Sequence, residues 1–170
     1  MISTTTNFDE LIERLHSQGD YRPVGVTILV DEQNRYLLLQ SAKKSSIWSF
    51  PQGGIHRRES LAENLARELE EETGIVAKRD LSDYLWAVHY AEIDLEQHRK
   101  GERGFSKGKG YIYSAARYHG NDNLVLRPEE VLAAEWVDNE GLSDKFKEVR
   151  PEKVQHSISA LQKVNSRFGI

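Results

Sequence analysis

A chain of 170 residues is long enough for one domain with a real core and too short for two of ordinary size. Its net charge of −4 excludes a global basic field for nucleic acid, and its lack of cysteine excludes disulfides and thiolate metal sites. No apolar run approaches membrane-spanning length and the first residues carry no signal-peptide pattern, so a soluble cytoplasmic protein is expected.

Residues 1–20 open with polar MISTTTN and then read as a helix. Phe8, Leu11, Ile12 and Leu15 follow the i, i+3, i+4, i+7 pattern, with Asn7 as the cap and Gly19 as the stop. A packing role is all this segment implies. Tyr21-Arg22-Pro23 leads into residues 24–30, an apolar β-branched run that suits a buried strand. Residues 31–34 are turn-like, and residues 35–40 read as the hairpin partner.

The run Trp48-Ser49-Phe50-Pro51-Gln52-Gly53-Gly54-Ile55 follows. Gly53 and Gly54 let the backbone approach a phosphate or metal without Cβ interference; Trp48 and Phe50 are aromatic residues for the site or the core. A helix then begins near Ser60 and stops at Gly74. Leu61, Leu65 and Leu69 form its buried stripe, with Ala62 and Ala66 beside them. At ~100° per residue, Glu68 and Glu72 share the azimuth of Leu61, and Glu71 lies at its edge. Carboxylates at i, i+3 and i+4 repel one another and are costly to bury, and acid at a helix C-terminus opposes the macrodipole. Arg67 is one charge against four glutamates. A hard cation with oxygen preference, Mg²⁺ or Mn²⁺, removes the cost.

Residues 81–93 hold a strand around 84–90. Residues 96–110 are the one basic stretch, five Lys/Arg against two Glu, and their glycines suggest a mobile loop. Strands are expected at 111–118 and 131–138, and a final helix at 151–168 with Val154, Ile158, Leu161 and Val164 on its buried stripe.

Gly53, five residues, Glu59, seven residues, then Arg67-Glu68-Leu69-Glu70-Glu71-Glu72-Thr73-Gly74-Ile75 resembles a complete Nudix box. The resemblance implies an α/β/α sandwich with a mixed sheet between helices, residues 21–170, preceded by residues 1–20 as a helical extension. It implies Mg²⁺-dependent hydrolysis of a nucleoside diphosphate linked to another group. Glu68, Glu71 and Glu72 map to its metal ligands with Gly53 beside them, Glu59 to an outer contributor, and Arg67 to the arginine that orients the glutamates by ion pairing. Glu130, with Glu129 as the alternative, is similar to the family's extra glutamate before a Trp-Val strand, a metal ligand or general base. Either Glu130 or Glu72 is then the acceptor of the water proton.

Trp-x-Phe-Pro-Gln-Gly-Gly-Ile, with Gln52 at its centre, resembles the branch of RNA pyrophosphohydrolases and diadenosine polyphosphate hydrolases. On that likeness Arg22, Lys107 and Lys109 become phosphate contacts and Tyr90 a ring near a base. The implied substrate is a nucleoside polyphosphate, or a capped or triphosphorylated nucleic-acid end. No membrane and no stable DNA partner is expected, and the chain is a monomer or homodimer. Two departures stand out. Arg58 replaces the glycine most relatives carry before the first glutamate, so the loop turns differently or gains a charge near the phosphates; Ala134 replaces an aromatic residue. A nucleoside triphosphate pyrophosphatase acting on oxidised nucleotides is the rival enzyme. A non-catalytic Nudix-fold regulator is disfavoured because every box carboxylate is kept.

Overall fold

Ten consecutive residues, Tyr21–Val30, form the first strand, β1, and eight of them are buried. A strand hidden on both faces needs a continuous apolar run rather than alternation, and residues 24–30 supply it. The computed structural model describes residues 4–170, with side chains from Phe8 onward except that of Glu102. Asp31 makes the predicted turn, accepting from the backbone N–H groups of Gln33 (3.0 Å) and Arg35 (2.8 Å). The chain returns as β2, Tyr36–Ser41, with Tyr36 opposite Val30.

The remaining elements are β3 (Trp48–Ser49), β4 (Gln52–Gly54), α2 (Leu61–Thr73), α3 (Ala77–Asp80), β5 (Leu81–Asp94), β6 (Gly108–Tyr118), β7 (Val131–Val137), α4 (Asn139–Lys145) and α5 (Pro151–Phe168), with α1 (Thr4–Gln18) in front. The sheet runs β3-β2-β1-β6-β5, with β4 added to β1 and β7 to β2. Strands β1 and β6 pair in parallel from Tyr21 opposite Gly108 to Val30 opposite Arg117, while their other neighbours are antiparallel. This is the expected mixed sheet between helices.

The alternation of β1 decides which helix covers which face. Val24, Val26, Ile28 and Val30 pack with Leu161 and Val164 of α5, whereas Leu29 packs with Leu65 and Leu69 of α2. Ser60 caps α2 in a reciprocal box with Glu63, and Gly74 ends it at φ 74°. Ala62 departs from the predicted stripe: it faces solvent, and buried Asn64 takes the place on the inner side.

Helix α1 begins at Thr4, upstream of Asn7, so Asn7 is not its cap; the side chain of Asn7 and residues 1–3 lie outside the described residues. Ile12 of α1 meets Ile55, Leu61 and Ile112, with Tyr90 against the same cluster. Strand β5 is longer than predicted and bulged twice, with Asp83 and Ala87 at positive φ. The basic segment after it folds into two short 3₁₀ turns, Gln97–Arg99 and Glu102–Gly104, and its far end is tied to Gly19 and Asp20 by backbone hydrogen bonds. Among the described residues, no helix is long and apolar enough to cross a membrane.

Candidate active site

The site begins where α2 lies across β4 and β1. Gly25 and Gly53 face each other in the antiparallel β1–β4 pair. A Cβ on Gly25 would overlap the Asn64 amide, and one on Gly53 would overlap the Glu68 carboxyl group. The backbone itself is therefore the floor on which the polar side chains of α2 rest. Asn64 Nδ2 donates to the carbonyls of Gly54 (3.0 Å) and Gly53 (3.4 Å), which accounts for a buried amide that the helical period marks as apolar. Gly54 is packed from the other side by the Arg22 guanidinium.

Arg67 organises the carboxylates. Its Nε and Nη2 donate to the two oxygens of Glu59 (2.7 and 3.1 Å), and Nη1 donates to Glu68 (2.8 Å) and Glu71 (3.3 Å). Nη2 also donates to the Gly54 carbonyl (3.0 Å). Burial raises the Glu59 carboxyl, but hydrogen bonds from Arg67 and from the His56 N–H outweigh it and hold the group below its usual range.

Glu68 is raised, first by burial and then by Glu71 and Glu130, against the pull of Arg67. Glu72, only 9% exposed, is pushed up to about 8 by burial, with Glu68, Glu130 and Glu71 adding repulsion. Glu130 comes from the turn before β7 and lines the same cleft as Glu68, Glu71 and Glu72. Glu129, 75% exposed at its side chain, does not line the cleft, so Glu130 is the one of the two that faces it.

Among the described residues no three acidic, histidine or cysteine side chains converge into a closed metal-binding group. The chemistry of the four glutamates still suits a hard divalent ion. All are carboxylates, they crowd one wall, and the innermost is held away from ionisation by burial and then by its neighbours, a cost a cation would offset.

The opposite side of the cleft is cationic. Arg22, Lys109 and Arg103 line both of its lobes, and Lys153 and Arg99 line the lobe farther from Glu68 and Glu71. The sequence placed Arg22, Gln52, Gly53, Gly54, Lys109 and the glutamates here, and the structure brings them together.

Two expectations are corrected. Tyr90 lies outside the cleft: α1 packs over its ring, and its hydroxyl donates to Glu92 (3.0 Å). Lys107 is also elsewhere, drawn into an ion pair with Asp20 (3.3 Å) just before β6 begins. Lys153, Arg99, Arg103 and Asn64 were missed. The two arginines fall within the basic stretch, whereas Lys153 reads as an ordinary first-turn residue of α5. Phe50 is core, edge-on to Phe146 with ring centroids 5.9 Å apart. Ala134 sits opposite Leu39 and packs into the α2-side core.

Arg58 resolves its own departure. Its φ is 65°, so the loop makes the turn a glycine would make and an arginine bears the strain. Its side chain joins a separate depression between α1 and this loop, away from the cleft. Arg58→Gly is expected to stabilise the protein by about 0.5–1 kcal/mol, the left-handed penalty less the added chain entropy. Urea unfolding checks the gain, and unchanged kcat/KM checks that the charge is idle in the reaction.

A NUDIX domain model matches residues 21–157. The chain is 28% identical over 151 residues to the RNA pyrophosphohydrolase of Zymomonas mobilis, covering 83% of this chain and 96% of that protein. It is 30% identical over 136 residues to the RNA pyrophosphohydrolase of Erythrobacter litoralis, covering 75% and 82%. The backbone matches a C. elegans Ap4A hydrolase binary complex with a TM-score of 0.61 at 19% identity, over 87% of this chain and 98% of that one.

Proposed function

The chain belongs to the NUDIX family and is a pyrophosphohydrolase, and on that premise we propose that its substrate is the 5′-triphosphate end of RNA. The observation that carries this reading is the number of cations that line the cleft, six in the lobe that holds Lys153. Arg22, Lys109 and Lys153 are partly buried, whereas Lys43, Arg99 and Arg103 are exposed. So many cations exceed what a free triphosphate needs and suit a phosphate backbone that continues. The names of the two bacterial relatives point the same way.

Glu68, Glu71, Glu72 and Glu130 would hold Mg²⁺ or Mn²⁺, with Gly53 beside them. When bound, the metal neutralises charge on the phosphate oxygens and makes water more acidic. Arg22, Lys109 and the Gln52 amide bind and orient the phosphates, balancing charge on the leaving group. Arg67 fixes the carboxylates, and Glu130 or Glu72 takes the proton from the attacking water. The phosphoanhydride bond breaks as the new P–O bond forms, releasing pyrophosphate and leaving a monophosphate on the RNA.

The test is incubation with Mg²⁺ and, in parallel, 5′-triphosphorylated RNA, diadenosine tetraphosphate and a dNTP panel including 8-oxo-dGTP, with products resolved by chromatography. Preferential release of pyrophosphate from RNA is expected. Turnover of the dinucleotide alone would move the assignment to dinucleoside polyphosphates, and turnover of free nucleotides alone would move it to a house-cleaning triphosphatase.

A further inference from the structure

Lys153 occupies the first turn of α5, yet its ammonium reaches into the cleft. Nζ donates to Gln52 Oε1 (3.0 Å) and lies 4.8 Å from the centroid of the Tyr111 ring. Among the described residues no carboxylate forms an ion pair with it. Desolvation, with Lys109 adding repulsion, lowers its pKa to about 7. A desolvated ammonium without a counter-charge is destabilising for the fold, and an anion bound beside it would offset that cost.

The Gln52 contact adds a second argument. An amide offers one oxygen that accepts and one NH₂ that donates. Because Lys153 occupies the oxygen, the NH₂ is the group left to face a ligand, so lysine and amide together offer hydrogen-bond donors. A pair of donors, one of them charged, suits phosphoryl oxygens and is ill-suited to a base edge that mixes donors and acceptors. The lobe lined by Lys153 also holds Arg22, Arg99 and Lys109; Glu72 and Glu130 reach it, whereas Glu68 and Glu71 do not.

We propose that Lys153 and Gln52 form a phosphate-binding subsite, supplied by the C-terminal helix, for a phosphoryl group of the substrate at the end of the cleft away from Glu68 and Glu71. The assignment rests on the pyrophosphohydrolase reading above and names the chemistry at one end of the same cleft. Lys153 is a binding residue here, and the catalytic carboxylates act without it. Its loss therefore raises KM more than it lowers kcat.

Inorganic tripolyphosphate is the probe. It is titrated calorimetrically into the full chain in EDTA, so that binding to the cations is read without metal or turnover. Lys153→Met is expected to weaken binding about tenfold or more, the scale of one charge-assisted contact, while the melting temperature stays level or rises. Gln52→Glu keeps the lysine and gives it a carboxylate, and it is expected to weaken the same probe at least as much. Equal affinity of wild type and either variant overturns the subsite, as does a wild type that fails to bind tripolyphosphate. Weaker binding by Lys153→Met alone, with Gln52→Glu unchanged, also overturns the paired assignment. Absence of RNA turnover by wild type would sink the substrate reading and leave the tripolyphosphate result standing on its own.

Discussion

Glu72→Gln is expected to lower the rate of hydrolysis about 10²-fold or more while making the metal-free protein more stable. The two effects share one origin. Glu72 is the most buried of the four cleft carboxylates, and Glu68, Glu130 and Glu71 add their repulsion to the cost of that burial. Glutamine keeps the volume and removes the charge, so the fold is relieved and the proposed metal loses its innermost ligand. The pH dependence follows from the raised value. The folded chain keeps the Glu72 proton between the ordinary 4.5 and about 8, whereas the unfolded chain releases it first. Metal-free stability from this group is thus full below about 4.5 and is lost as pH rises through about 8. Thermal unfolding in EDTA across that range should show a slope that Glu72→Gln flattens. Adding Mg²⁺ should raise the melting temperature of wild type, by linkage, and leave the variant unmoved. Full activity in the variant would refute the ligand assignment.

The second large effect runs in the opposite direction. Arg67→Lys is expected to destabilise the protein by about 2 kcal/mol, less than a fully buried pair because the guanidinium is partly exposed. One planar fork serves Glu59, Glu68, Glu71 and the Gly54 carbonyl at once, and an ammonium cannot reproduce that geometry. Glu59 suffers most, being nearly buried and gripped at both oxygens. Because Arg67 acts on metal ligands without being one, Mg²⁺ affinity and rate should each fall about 10–100-fold. Urea unfolding gives the stability loss, and a Mg²⁺ titration followed by melting temperature gives the affinity. If the lysine variant binds Mg²⁺ as tightly as wild type, Arg67 is a strut for Glu59 alone. Glu72→Gln and Arg67→Lys thus separate a ligand from a positioning residue by the sign of the stability change.

What could be read from the chain depended on how local the cause was. Helix α2 was legible end to end, since Ser60, the leucine stripe and Gly74 are signals within one segment. Asn64 escaped because its partners, the carbonyls of Gly53 and Gly54, are set by a strand pairing that the helical period does not encode. Tyr90 was misplaced by likeness to relatives. The family match begins at residue 21, and the element that covers Tyr90 is α1, which lies before it. Lys107 was lost to Asp20, a neighbour only once β1 and β6 run side by side. Lys153 was the least legible, because its partner Gln52 is 101 residues away and joins it only through the packing of α5 on the sheet.

The backbone floor of the cleft bears on how this protein can change over evolutionary time. Gly25 and Gly53 meet Asn64 and Glu68 with no room for even a methyl group. A surface without side chains offers selection nothing to vary, since the smallest replacement pushes aside the Asn64 amide or the Glu68 carboxyl group that rests on it. New substrate preferences must then arise in the walls, from the segment between β5 and β6 and from the first turn of α5. Those parts can be rewritten while the reacting centre stays as it is.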